Sequence, residues 1–142
     1  MNGKDLKVYS LAYDANKYVD STKWFRVYEF KCKDGSDMIP ICPQLVNELR
    51  VIRAYFMGKY PEKTIQCVIN SAYRSDKHND ASGGSTYSQH LYATGVDFRI
   101  TGVPNHEVQK LCDTLWPNCY GIGYAESYTH LDVRDTKARW TY

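Results

Sequence analysis

Residues 129 to 134 read Thr-His-Leu-Asp-Val-Arg. In a β-strand successive side chains point to opposite faces. His130, Asp132 and Arg134 must therefore share one face, with Thr129, Leu131 and Val133 on the other. Residues 96 to 100 obey the same rule, with Val96, Phe98 and Ile100 on one face and Asp97 with Arg99 on the other. Two such strands need an apolar layer against one side, and they gather imidazole and carboxylate on the opposite side. Two helical stripes can supply the cover. Pro43 opens the first, a favoured first-turn position, and Leu45, Leu49, Ile52 and Phe56 follow at helical spacing until Gly58 and Pro61. Asn105 caps the second, which carries Val108, Leu111, Cys112 and Leu115 and stops before Pro117. Helices and antiparallel-type strands are interspersed without a β-α-β rhythm, so the fold class is α+β.

The rest of the chain fits this frame. Residues 64 to 70 alternate as a strand, placing Ile65, Cys67 and Ile69 together. They lead through Ser71-Ala72-Tyr73-Arg74-Ser75 into a polar loop, residues 75 to 89. A loop of that length in a compact domain is often functional. Residues 24 to 33 read as extended, closed by the turn signal Lys33-Asp34-Gly35-Ser36. Residues 1 to 22 are mixed and polar with no clear period. Residues 120–124 and 128–134 form two short strands with a tight connection. At 142 residues, without repeats or a linker, the chain is expected to form one domain over residues 1–142.

Composition narrows the partners. The net charge is only +2, with no Lys/Arg block, which argues against nucleic acid. No apolar stretch approaches the roughly 20 residues of a membrane helix, so no membrane insertion is expected. The first residues show no basic and apolar sequence of signal-peptide type, so synthesis in the cytoplasm is expected, with another agent delivering the protein to any substrate outside. Five cysteines, an odd number without two-residue spacings, read as free thiols, although Cys32 and Cys42 flank a turn and could pair. The 13 tyrosines read mainly as packing.

Of the four histidines, His90 and His130 stand where a metal would need them. His90 closes the polar loop seven residues before Asp97, and His130 follows on a neighbouring strand. Two imidazoles and one carboxylate suit a catalytic zinc that keeps a fourth position for water. A lone histidine with a nearby aspartate is more often a hydrogen-bonded structural pair, so spacing alone does not establish zinc. His78 and His106 read as surface or capping residues.

Longer motifs extend the pattern. Residues 88–97, Ser-Gln-His-Leu-Tyr-Ala-Thr-Gly-Val-Asp, resemble the serine–histidine–glycine–alanine–aspartate signature of the D-Ala-D-Ala carboxypeptidase family of zinc peptidases, with Val96 in place of the alanine. Ser71-Ala72-Tyr73-Arg74-Ser75 resembles that family's S-G-Y-R-S, with Ala72 for glycine. His78-Asn79 and Gly83-Gly84 resemble its loop. Gly121-Ile122-Gly123-Tyr124 and residues 128–134 resemble its closing hairpin, and Lys137-Ala138-Arg139-Trp140 its tail. The likeness covers residues 24 to 140.

The resemblance implies a Hedgehog/DD-peptidase-like fold, with a small antiparallel sheet carrying Zn2+ on His90, Asp97 and His130 between flanking helices. It implies Arg74 as the group facing the developing oxyanion and Ser88 as a substrate contact. The general base is open between Asp132, which shares a face with His130 and could instead orient that ring, and Glu126, four residues before His130. The expected substrate is a peptide bond of peptidoglycan, cut by carboxypeptidase or endopeptidase action. With no export signal visible, a monomeric phage-delivered, virion-associated or prophage lytic enzyme is expected. The alternative is a zinc-stabilised wall-binding or structural phage module without catalysis.

Overall fold

The computed structural model describes residues 5–73 and 93–142. Its elements run β1 (Lys7–Ser10), α1 (Leu11–Asp14), a 3-10 turn (Val27–Phe30), β2 (Met38–Ile41), α2 (Pro43–Lys59) and β3 (Cys67–Ser71). Then follow β4 (Gly95–Ile100), α3 (Asn105–Leu115), β5 (Gly121–Tyr124), β6 (Thr129–Asp132) and β7 (Ala138–Thr141). β1 and β2 form a ribbon, and the other strands form one sheet in the order β3-β4-β6-β5-β7. The fold is α+β. The expected antiparallel sheet holds except at its far edge, where β7 runs parallel to β5.

The alternation places the core as expected. Val96, Phe98, Ile122, Leu131 and Val133 are fully buried. They join Leu49, Ile52 and Phe56 of α2 and Val108 and Cys112 of α3 in one hydrophobic cluster. Burying side chains of this size contributes roughly 1.5–3 kcal/mol each, so the sheet's inner face and the two helical stripes hold each other in place. Pro43 occupies the first turn of α2, and the Tyr60 amide closes its last turn on the Phe56 carbonyl at 2.9 Å. At α3 the cap residue is Pro104, one place earlier than expected. The Asn105 side chain instead donates to the Glu126 carbonyl at 2.9 Å.

Residues 24–33 do not form the expected strand. The Arg26 amide donates to the Glu29 carboxylate at 2.6 Å, and the Glu29 amide donates to the Arg26 carbonyl at 3.1 Å. These short-range bonds close a 3-10 turn, an alternative that competes with a strand ladder. The turn still buries Phe25, Val27 and Phe30, with the two phenylalanine rings 5.8 Å apart.

The N-terminal segment without a period is anchored by long-range bonds. The Ser10 hydroxyl and Ala12 amide both donate to the Asp37 carboxylate, and β1 pairs with β2 from Lys7↔Ile41 to Ser10↔Met38. The five cysteines form no disulfide, so Cys32 and Cys42 do not pair, and burial pushes the Cys67 and Cys112 thiols far above their ordinary range. Among the described residues no helix is long and apolar enough to cross a membrane.

Candidate metal centre

β4 and β6 pair antiparallel with Asp97 directly opposite His130. On the next strand Gly123 faces His130 and Gly121 faces Asp132. The imidazole of His130 therefore stands between two carboxylates. Its Nδ1 lies 2.9 Å from Asp97 Oδ1 and its Nε2 lies 2.7 Å from Asp132 Oδ2. All three side chains are buried, with His130 only 3% exposed, Asp97 7% and Asp132 0%. Arg134 then closes a fork on Asp132, with Nε on Oδ1 and an outer nitrogen on Oδ2, each at 2.7 Å. Paired donors on a buried carboxylate make a strong, directional link.

The charges follow from these contacts. Burial alone would push the His130 pKa down, but bonding to Asp132 and Asp97 outweighs it and raises the pKa above the ordinary imidazole value. Burial pushes Asp132 up, yet His130 and Arg134 outweigh it and hold the carboxyl at about 2. Asp132 is thus an anion whose two oxygens are committed to neighbours.

Two glycines make room for this arrangement. A Cβ on Gly121 would lie 2.3 Å and 2.6 Å from the two Asp132 carboxylate oxygens. A Cβ on Gly123 would lie 2.8 Å from Trp140 Nε1. Bare backbone at both positions lets the carboxylate and the indole lie against β5. Trp140 in turn leans on His130 with ring centroids 5.0 Å apart, and the Arg134 guanidinium sits 5.3 Å from the Trp140 ring centre.

Among the described residues, no three His, Cys, Asp or Glu side chains are grouped to hold a metal ion. Asp97 and His130 do present an adjacent pair of donor atoms. Two ligands at metal distance on a tetrahedral zinc stand about 3.3 Å apart, and the observed 2.9 Å between Nδ1 and Oδ1 is within a few tenths of that. The carboxylate on Nε2 is the usual outer partner of a metal-bound histidine. The donor set therefore fits a zinc ligand pair with its orienting carboxylate.

The remaining candidate residues divide in two. Arg74, Ser88 and His90 lie outside the described residues, as does His78. Glu126 is exposed in the turn between β5 and β6, and His106 is exposed on the first turn of α3. Sequence reasoning overlooked the seating role of Gly121 and Gly123 and the Trp140 ring on His130. The signal was present as a G-x-G strand whose small residues oppose H-x-D on its neighbour.

The sheet buries Asp97 against His130 with the Asp132 carboxylate behind the imidazole, a donor pair of the kind a divalent metal ion takes. Residues 23–132 match the family model of peptidase M15, which covers well over half of the chain and all three of Asp97, His130 and Asp132. The chain belongs to the peptidase M15 family, and it is a peptidase. No curated protein and no solved structure matches it.

Proposed function

We propose that this peptidase is zinc-dependent, has the DD-peptidase-like arrangement of its family, and hydrolyses a peptide bond in peptidoglycan stem or cross-link peptides. The observation that carries the zinc assignment is the Asp97–His130 donor pair with Asp132 on the outer nitrogen. His90 is the third ligand in this reading. His90, Asp97 and His130 would hold the ion, and zinc bound there would supply a water activated near neutral pH and an electrophilic centre for the scissile carbonyl.

The protein's own residues do the rest. Asp97 contributes negative charge that offsets the cation. Asp132 engages His130 Nε2, which would leave Nδ1, beside Asp97, as the ligand atom, and Arg134 keeps Asp132 in place. Because both Asp132 oxygens are committed and sealed from solvent, Asp132 is a positioning residue. Of the two carboxylates the sequence offered, proton transfer to the leaving amine falls to Glu126. Arg74 stabilises the oxyanion, and Ser88 holds substrate. An agent such as a phage lysis system would deliver the enzyme to the wall.

Turnover of purified muropeptides, followed by mass spectrometry of the products with and without chelator, tests the reading. Cleavage should vanish on zinc removal and return on re-addition. Unchanged cleavage after complete zinc removal refutes it, and wall binding without cleavage by wild type refutes the catalytic part.

A further inference from the structure

A cleft of about 540 Å3 lies between the segment around the 3-10 turn and strand β3. Its walls carry five cations, Lys23, Arg26, Lys31, Lys33 and Arg53, against a single carboxylate, Glu29. The whole chain has a net charge of only +2, so the remainder of the protein is net negative and positive charge is concentrated here. Lys23, Lys31 and Lys33 are exposed, and no described carboxylate forms an ion pair with them or with Arg53. Arg26 is already occupied, bonded to the Asn16 carbonyl at 2.6 Å and to the Tyr18 hydroxyl. The Arg53 guanidinium stacks over Trp24 at 4.5 Å, giving one wall an aromatic and cationic face.

The opposite wall is residues 66–72, the length of β3 and its flanks. β3 is an edge strand, and among the described residues it pairs only with β4. Residues 67–70 of this edge line the cleft and span roughly 13 Å. Such an edge can accept an extended peptide through main-chain hydrogen bonds. Ser71, at the end of β3, both lines the cleft and pairs with Asp97 of the candidate centre.

We infer that this cleft is a substrate-binding groove, taking an extended, carboxylate-bearing peptide along β3 with its carboxylates on Lys23, Lys31, Lys33 and Arg53. The occupant rests on the proposed function, which makes it the peptidoglycan stem peptide. Trp24 then packs the apolar parts of the peptide, and the scissile bond lies beyond Ser71. Charge in the groove selects peptides with free carboxylates over amidated ones.

The test uses the full chain in chelator, so that binding is read without turnover, by calorimetry with a synthetic stem pentapeptide and its fully amidated counterpart. The free-carboxylate peptide should bind more tightly, and the difference should shrink as salt rises. The triple charge reversal K23E/K31E/K33E should weaken the carboxylate peptide by roughly tenfold and leave the amidated one unchanged. The triple K→R variant should restore wild-type binding. In the metal-loaded enzyme the reversal should raise KM for the stem peptide and spare kcat.

Equal affinity for the two peptides, no effect of the reversal, or preference for a phosphate-bearing wall polymer overturns the groove. Its failure is separable from that of the catalytic reading. Turnover with an unchanged KM in the reversal variant removes the groove alone. Charge-selective binding without turnover by wild type removes catalysis alone.

Discussion

Replacing Gly121 with alanine places one methyl group where the Asp132 carboxylate now lies. The new Cβ would be 2.3 Å and 2.6 Å from its two oxygens and 2.7 Å from Arg134 Nε, all under the 3.0 Å that real Cβ atoms avoid. Ordinary contact begins near 3.4 Å, so the carboxylate must retreat by about 1 Å. The Asp132–His130 bond of 2.7 Å would then stretch past hydrogen-bond range. Overpacking costs about 1–3 kcal/mol, and weakening charge-assisted buried bonds adds to it. The expected destabilisation is about 3 kcal/mol, read as a lower urea midpoint at unchanged slope. Because Asp132 orients the proposed zinc ligand, zinc affinity should fall about 10- to 100-fold in chelator competition.

A double-mutant cycle isolates the cause. Asp132→Ala removes the two oxygens that the methyl group strikes hardest and releases the Arg134 side chain that they hold, so Gly121→Ala should cost far less in that background. Strict additivity of the two changes, or a single Gly121→Ala variant as stable as wild type, refutes the steric argument. Lost stability with unchanged zinc affinity would leave the packing argument standing and remove Asp132 from the metal's support.

Three further outcomes are expected. Asp132→Asn keeps the volume but not the charge, and should lower zinc affinity about 10- to 100-fold at unchanged stoichiometry, measured by equilibrium competition. Phe56→Ala empties a position that is 0% exposed and should cost about 3–5 kcal/mol in chemical denaturation, whatever the fate of the metal. Asp20, whose side chain is 2% exposed, accepts from the Trp24 and Phe25 amides and the Thr22 hydroxyl. Burial pushes its pKa up, but those bonds and Arg50 outweigh it and bring the pKa below 3.8. A depressed carboxyl pKa stabilises above its unfolded value and loses that stability as pH falls through the folded one. Asp20→Asn should therefore be less stable than wild type at pH 7, and the gap should close below about pH 4, as urea melts across pH would show.

What the sequence revealed depended on how local each signal was. The α2 stripe and the parity of β4 and β6 were legible because periodicity is a property of neighbouring residues, and Val96, Phe98 and Leu131 lie where alternation put them. The β1 strand was not legible, because its formation depends on a partner some 30 residues away and on Asp37 bonds to Ser10 and Ala12. β7 was hidden for the same reason. Arg139 holds it by bonding Asp113 at 2.7 Å and the Trp116 carbonyl at 2.6 Å, contacts that no local pattern announces. Residues 24–33 had strand-like composition, but the Glu29 bond to the Arg26 amide won locally. At the site, parity identified His130 and Asp132 as companions. The division of labour between the two ring nitrogens required the Asp97↔His130 register, which only the assembled sheet specifies.

That register has a consequence for how the molecule can fail. On β6 the side chains that seal the interior and those that serve chemistry are consecutive, so a slip of one residue exchanges them completely. Thr129 and Leu131 would then occupy the polar face, and imidazole and carboxylate would be driven into hydrocarbon. A misaligned hairpin could not survive as a stable but inert enzyme. Correct assembly and competence are checked by the same event, and partly correct chains would be removed as unfolded protein rather than accumulate as silent copies.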